Sequence, residues 1–293
     1  MQKDHIDLKG FIAIIVLTLL WGVNYAAIKF TNTGLSPIFT SFLRSAIASG
    51  CGIIYCLSIR QPLFHKDIRL FHGLITGMLF GLEFVFVYLG IRYTDAARSA
   101  VLMYLSPFVV AIGAHLFLKE RLNTLKTAGL VLAFIGVYLV FRGKPATYGR
   151  HMLMGDIFIV IAAILWGATT LYIKKFLAAR VHFINTFLYQ LVFSLPILFV
   201  CTYFMEDRWI INITYPILFS VFFQSVIVAF ASYLVWFKLI HVYPVGKLSA
   251  FTFFAPIFGV FSGTIFMKEQ LTFGLIAGLI LVSIGVYCAN YRK

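Results

Sequence analysis

Long apolar runs alternate with short polar, glycine- or proline-containing breaks along almost the whole chain. The breaks recur about every 25–30 residues, the spacing of one membrane-crossing helix and a tight loop. Within each run the apolar residues are continuous rather than alternating with a period of two, which predicts transmembrane helices and not barrel strands. We predict an all-α membrane protein with ten spans, near residues 10–30, 36–59, 69–92, 95–117, 124–142, 154–174, 182–204, 214–237, 246–267 and 271–290.

The composition points to the same environment. Of the 293 residues, 61% are hydrophobic and 12% are charged, whereas soluble domains carry about 45–50% apolar and about 25% charged residues. A soluble core could not bury this excess, but a bilayer can. The first apolar run follows Lys9 and leads directly into others without a clear cleavage site, so we expect a retained first helix rather than a signal peptide.

The charge distribution predicts an orientation. The formal net charge is +14, from 24 Lys and Arg against 10 Asp and Glu, which in a soluble protein would suggest nucleic-acid binding. Here the basic residues stand singly in short loops, as the positive-inside rule describes, so we expect no nucleic-acid partner. Ten spans place both termini on one side, and that side carries 15 of the 24 basic residues. We predict that both termini are cytoplasmic, although the basic 142–150 loop runs against the bias.

The second half of the chain repeats motifs of the first half. The recurring pairs are Leu20-Trp21-Gly22 with Leu165-Trp166-Gly167, Leu118-Lys119-Glu120-Arg121-Leu122 with Met267-Lys268-Glu269-Gln270-Leu271, and Gly136-Val137-Tyr138 with Gly285-Val286-Tyr287. Each copy would hold five helices, and an odd number inserts the second copy with opposite orientation. We therefore predict two inverted five-helix repeats, 1–144 and 145–293, an architecture that recurs in secondary transporters. A duplication kept only for packing is the alternative.

These motifs resemble the EamA-type members of the drug/metabolite transporter superfamily. The resemblance covers nearly the whole chain and includes the paired Trp-Gly motifs, the Phe42-Leu43-Arg44 of helix 2, the stretch 93–107 and the two Lys-Glu turns. It implies ten helices, with helices 1–4 and 6–9 around a central cavity and helices 5 and 10 more peripheral. It also implies export of amino acids or related metabolites across the bacterial inner membrane. Glu83 departs from the common pattern of that family.

Two of the charged residues within the predicted spans stand out, because a charge at a helix centre costs about 2.5–3.5 kcal/mol. Arg44 in helix 2 and Glu83 in helix 3 would both sit roughly 12–14 Å below the outer surface, at 1.5 Å per residue. At matching depth they could form a buried salt bridge that fixes the two helices. Alternatively, Arg44 binds a substrate carboxylate while Glu83 receives an amine or a proton.

Other polar and aromatic side chains within the spans are candidates to line a small-molecule cavity. They are Trp21, Asn24, Tyr25, Tyr88, Tyr104, Trp166, Thr170, Tyr189, Gln190 and Gln224. Each aromatic residue among them could equally face lipid or pack in the core. Pro107 and Pro256 occupy matching positions in helices 4 and 9, where a bend would serve either a gate or static curvature. Gly73, Gly77 and Gly81 form a ladder that we interpret as a packing face.

Enzyme and pump signatures are absent from the sequence. It contains no H-E-x-x-H, G-x-S-x-G or P-loop motif, so we expect neither an enzyme nor a self-contained ATP-driven pump. The four cysteines stand singly in apolar runs, which favours neither a disulfide framework nor a metal or other cofactor. We predict a secondary transporter, an exporter of amino acids or related metabolites by alternating access, driven by protons or by the substrate gradient. A lipid or lipid-linked-sugar flippase and an integral-membrane enzyme acting on lipid-like substrates are the alternatives.

Overall fold

The computed structural model describes residues 6–117, 124–143, 149–178, 180–243 and 251–290, and the predicted Lys119-Glu120 turn lies outside them. Throughout this part of the chain the regular structure is helical apart from one isolated bridge between Leu35 and Ile210, which confirms the all-α class. The helices are α1 (Leu8–Thr31), α2 (Pro37–Ser58), α3 (Ile68–Tyr93), α4 (Ala96–Met103), α5 (Ser106–Phe117), α6 (Thr124–Arg142), α7 (Arg150–Phe176), α8 (Phe183–Met205), α9 (Tyr215–Phe222), a π-helix (Phe223–Ser232), α10 (Tyr233–Val242), a 3₁₀ turn (Phe251–Phe253), α11 (Phe254–Met267) and α12 (Phe273–Asn290).

All ten predicted apolar segments are mainly helical where the structure describes them. Seven are long and apolar enough to cross a membrane: Leu8–Thr31, Pro37–Ser58, Ile68–Tyr93, Ala96–Phe117, Arg150–Phe176, Phe183–Met205 and Tyr215–Trp236. The other three are shorter apolar helices, Thr127–Arg142, Phe251–Met267 and Phe273–Cys288. The chain is therefore a multi-pass membrane protein, and the number of ten crossings stays a prediction.

Three predicted spans are not continuous α-helices. The fourth is divided at Tyr104 and Leu105, in the turn before Pro107, because proline has no N–H to donate and its ring disfavours the preceding turn. Pro256 similarly lies in the first turn of α11, just after the 3₁₀ turn, where a missing N–H has little cost. The eighth predicted span contains the π-helix, a wider winding that hydropathy does not reveal.

The helices surround a common centre, with one pair set apart. α3 packs against α7 and α8, α1 against α11, and α2 against α8 and the π-helix. α4 packs against α11 and α7, and α5 against α7. α6 and α12 pack chiefly against each other, so closely that a Cβ on Gly143 would lie 2.3 Å from the Cα of Gly274. This pairing keeps α6 and α12 at the side of the bundle.

The glycine ladder of α3 is the surface that meets α8. A Cβ on Gly77 would lie 2.3 Å from the Cβ of Phe193 and 2.8 Å from the carbonyl oxygen of Tyr189. Gly73 faces the ring of Tyr189 and Gly81 faces Ile197 at similarly short range. Only glycine allows the two backbones to approach this closely, and the predicted packing role is confirmed.

We expect Gly77→Ala to lower the melting temperature of the protein purified in detergent, because the added methyl group meets backbone that cannot withdraw. Overpacking of this kind costs about 1–3 kcal/mol. Gly50→Ala is the matched control, since a Cβ at Gly50 has no atom within 4 Å. There the gain in helix propensity, about 1 kcal/mol, is unopposed. Equal melting temperatures for the two variants would contradict this account.

Candidate functional site

A cavity of about 470 Å³ lies between α1, α2, α3, the α4–α5 break, α7, α8 and the segment from the π-helix to α10. Its walls reach Thr252, next to Phe251, whose ring packs against Phe11 near the start of α1 at 5.7 Å between centroids. The cavity therefore extends toward the end of the bundle at which α1 begins. Its surface is mostly aromatic and aliphatic with a few polar groups, the usual character of a small-molecule site.

Most of the candidate residues meet in this cavity. The lining includes Trp21, Asn24, Tyr25, Arg44, Glu83, Tyr104, Trp166, Thr170 and Gln190, with the predicted gate residue Pro107 among them. The structure places Tyr88, Tyr189, Gln224 and Pro256 outside it.

Arg44 and Glu83 are buried and face the same space without pairing. Arg44 is 2% exposed and its Cζ lies over the ring of Phe84, 4.1 Å from the centroid. Its Nε and Nη1 have no hydrogen-bond partner, and neither does Oε2 of Glu83, which is 3% exposed. Among the described residues no salt bridge joins the two side chains. The predicted structural pair is thus not found, because successive side chains diverge by about 100° around a helix and the one meeting Arg44 is Phe84.

The two repeated tryptophans frame the cavity from both halves of the chain. Trp21 donates from Nε1 to Oγ of Ser232 at 2.9 Å and packs edge-on against Trp236, with 5.4 Å between ring centroids. Trp166 packs edge-on against Tyr104 at 6.4 Å. These contacts orient the two indole rings. The polar residue Thr170 lies one helical turn after Trp166.

The Thr170 hydroxyl donates to the carbonyl oxygen of Trp166 at 2.9 Å, and Thr169 bonds that of Leu165 in the same way at 2.8 Å. Each hydroxyl thus donates its one hydrogen to a backbone carbonyl oxygen of the helix. Thr169 and Thr170 therefore present oxygen lone pairs, which can accept hydrogen bonds from a bound molecule.

Sequence reasoning did not select Phe80, Phe84 and Trp236, which also line the cavity. The four-residue spacing of Phe80, Phe84 and Tyr88 indicates one aromatic face of α3. Spacing does not distinguish a cavity wall from a lipid-facing surface, so no sequence pattern identifies these rings as cavity residues.

Tyr88 and Gln224 hydrogen-bond to each other in a buried network and do not line the cavity. The Tyr88 hydroxyl donates to Oε1 of Gln224 at 2.6 Å, and Nε2 of Gln224 donates to Oγ1 of Thr31 at 2.8 Å. Both Tyr88 and Gln224 are fully buried. The network ties α3, the π-helix and α1 together, which is a structural role.

The contacts of Tyr189 also indicate a structural role. Its hydroxyl accepts a hydrogen bond from the backbone N–H of His65 at 2.9 Å, and its ring stacks on Phe64 at 5.9 Å. It therefore anchors the connection between α2 and α3, at the end of the bundle where α3 begins.

The opposite end of the bundle, where α1 and α3 finish, is joined by polar contacts. The Glu269 carboxylate accepts hydrogen bonds from the backbone N–H groups of Ala96 and Ala97 at 2.7 and 2.8 Å. The Lys29 ammonium donates to the carbonyl oxygen of Thr94. Negative charge at the first turn of α4 is favoured by the helix dipole.

A second set of contacts at this end joins other helices. The buried guanidinium of Arg98 forms a salt bridge with Asp156 of α7 and donates to the Val140 carbonyl oxygen at 2.9 Å. The Glu206 carboxylate accepts from the Ser36 hydroxyl at 2.6 Å and from the Ile38 N–H at 2.8 Å. Together with the Glu269 contacts, they join the helix ends on the side of the bundle opposite the start of α1.

Comparison with known proteins gives a consistent picture. The EamA-like transporter family matches this chain twice, at residues 8–142 and 153–291. The "Uncharacterized transporter YoaV" of Bacillus subtilis (strain 168) is 25% identical over 284 residues, covering 97% of both chains. The "Probable amino-acid metabolite efflux pump" of Escherichia coli (strain K12) is 23% identical over 288 residues, covering 95% of this chain and 93% of that protein. The Salmonella typhimurium protein of the same name is 24% identical over the same length.

A solved crystal structure has the same fold. It superposes with a TM-score of 0.66 and 19% sequence identity, covering 94% of each chain. At this identity the similarity concerns the fold alone.

We expect Tyr88→Phe to lower the melting temperature, because it leaves Oε1 of Gln224 buried without its donor. An unsatisfied buried group costs about 1–3 kcal/mol. Tyr215→Phe is the control, since Tyr215 is 90% exposed. Thermal unfolding in detergent compares the two variants, and an equal effect would contradict the structural role of the Tyr88–Gln224 bond.

Proposed function

This chain belongs to the EamA-like transporter family, and we propose that it is a secondary transporter that exports amino acids or related small metabolites across the bacterial inner membrane. The observation that carries the proposal is a cavity in which a guanidinium and a carboxylate face one space without pairing. Two relatives named as amino-acid metabolite efflux pumps align with more than nine-tenths of the chain, which supports the substrate class.

A zwitterion complements the two charges. The unpartnered Nε and Nη1 of Arg44 suit a carboxylate, since a guanidinium can donate two parallel hydrogen bonds. The free Oε2 of Glu83 suits an ammonium group. Buried charges without partners cost several kcal/mol each, so a molecule that satisfies both is favoured over one that satisfies only one. The rings of Trp21, Tyr104 and Trp166 would then surround its apolar part.

Glu83 also provides a means of coupling. A proton and a substrate ammonium would neutralise the same carboxylate, so their binding would be mutually exclusive. Such competition exchanges protons for substrate, and we propose protons as the coupling ion. Transport down the substrate gradient alone is the other energy source.

We further propose ten spans in two inverted halves that meet near residues 144 and 145. The packing supports this, because three contacts join a helix to the helix in the same position of the other half: α2 with α8, α4 with α11 and α6 with α12. Exchanging the two halves leaves these contacts unchanged. The contact of α1 with α11 likewise corresponds to that of α7 with α4 and α5. The two family matches agree with the division.

In alternating access, the closed end of the cavity would change from one side of the membrane to the other. With both termini cytoplasmic, the cavity extends toward the cytoplasm, and the contacts of Glu269, Arg98 and Glu206 close the outer side. Pro107 lies in the first turn after the break at Tyr104 and Leu105, and Pro256 lies in the first turn after the 3₁₀ turn Phe251–Phe253. We propose these two places as the pivots.

The proposal is tested by uptake of radiolabelled amino acids into proteoliposomes, with and without a pH gradient. We expect Arg44→Ala and Glu83→Gln each to reduce transport to the level of empty liposomes, because each removes one of the two charges that a zwitterion needs. Arg92→Ala and Asp207→Asn are controls, since both residues are exposed.

Both site variants must still reach the membrane, which is measured in isolated membranes. Normal transport by both variants would show that Arg44 and Glu83 do not form the substrate site. If no amino acid but a fluorescent lipid moves, the flippase alternative replaces the exporter.

We expect Glu269→Ala to open the outer side. It leaves the N–H groups of Ala96 and Ala97 without their acceptor, at a cost of about 1–3 kcal/mol to the closed state, which favours opening by at least about fivefold. The readout is labelling of Ser106→Cys in the cavity by an impermeant maleimide added outside, with the four native cysteines replaced by alanine. Asp207→Ala is the control for losing an acid at this end. Unchanged labelling in Glu269→Ala would contradict the closing role.

A further inference from the structure

The Arg44 guanidinium rests on an aromatic ring where an ion pair would be expected. Its Cζ is 4.1 Å from the centroid of the Phe84 ring, within the range of about 6 Å for a cation–π contact. Such a contact offsets part of the cost of burying the charge without using an N–H donor. Nε and Nη1 accordingly remain without hydrogen-bond partners.

The Phe84 ring is held in place by its neighbours on α3. Its centroid lies 4.6 Å from that of Phe80 and 6.2 Å from that of Tyr88, one helical turn away on each side. The Tyr88 hydroxyl is itself fixed by Gln224 at 2.6 Å. Phe84 is also 7% exposed, so it has little freedom to leave Arg44.

The position of this ring also separates the two charges. Glu83 and Phe84 are consecutive on α3, so their side chains diverge by about 100°. The ring contacts Arg44, whereas the Glu83 carboxylate lines the cavity without a partner on Oε2. Without the ring, the guanidinium would lose its contact on α3 and could swing toward Glu83, where the two would neutralise each other.

We propose that Phe84 is a positioning residue that keeps the Arg44 guanidinium available to the carboxylate of a substrate and apart from Glu83. This inference rests on the proposed function, since it assigns a role within the same site. It predicts that the aromatic ring at position 84 controls affinity for the carboxylate, while the rate of the transport cycle depends on other parts of the protein.

The test uses wild-type protein in proteoliposomes with radiolabelled L-leucine, L-methionine, L-threonine and L-phenylalanine. We expect Phe84→Leu to raise KM for each transported amino acid about 2- to 30-fold, the range that a cation–π contact contributes, with the maximal rate within about twofold of wild type. Phe84→Tyr retains a ring and should keep the wild-type KM.

The carboxamide of the transported amino acid, used as a competitor, separates positioning from general damage. The carboxamide lacks the carboxylate, so its inhibition constant should change much less in Phe84→Leu than the KM of the acid. Phe86→Leu is the matched control: it removes a ring from the same helix, where Phe86 packs against Phe158 on α7 at 5.6 Å, outside the cavity. It should keep the wild-type KM.

Three results would overturn the inference. A wild-type KM in Phe84→Leu, or an equal rise of KM in Phe86→Leu, would remove the role of Phe84 while leaving the exporter proposal in place. Equal changes for the acid and its carboxamide would do the same. If wild-type protein moves none of the four amino acids above empty liposomes, the proposed function fails and the positioning role fails with it.

Discussion

Inside a bilayer, polar groups and charges must find their partners within the protein, because neither lipid nor water supplies them there. Most buried charges in the described part of this chain comply. Arg98 has Asp156, Glu206 has the first turn of α2, and the half-buried Glu269 likewise has the first turn of α4. Arg44 and Glu83 leave donors and an acceptor unsatisfied, and both lie in the cavity. This contrast, rather than the size of the cavity, is why we propose the substrate site there.

The partnered charges and the unpartnered ones also lie at different levels of the bundle. Contacts such as those of Glu269 and Glu206 join the helix ends on one side, where they connect elements far apart in the sequence. A carboxylate bonded to the backbone N–H groups of a helix can release them when the helix moves and bond them again when it returns. Contacts of this kind can form and break, whereas the close approach of glycines such as Gly77 holds α3 to α8 through continuous packing.

The sequence predicts the helices well, because a continuous apolar run longer than a bilayer has few alternatives to a helix. Pro107 predicts the disturbance of helix 4 near Tyr104, but nothing in the hydropathy predicts the π-helix at Phe223–Ser232, which depends on local hydrogen bonding. For the site, charge in an apolar span was sufficient to select Arg44 and Glu83. Depth alone does not show which face of α3 meets Arg44, or that Tyr88 and Gln224 bond each other outside the cavity.

An aromatic partner for Arg44 suits a site that must fill and empty repeatedly. A guanidinium paired with Glu83 would have to lose that partner before receiving a substrate carboxylate, and breaking a buried ion pair costs about 3–5 kcal/mol. A cation–π contact contributes only about 0.5–2 kcal/mol and leaves the N–H groups unoccupied, so nothing has to be displaced on binding. The contact also offsets part of the cost of the buried charge while the site is empty. Phe84 thus stabilises the Arg44 guanidinium in the empty site and leaves Nε and Nη1 available for the next substrate.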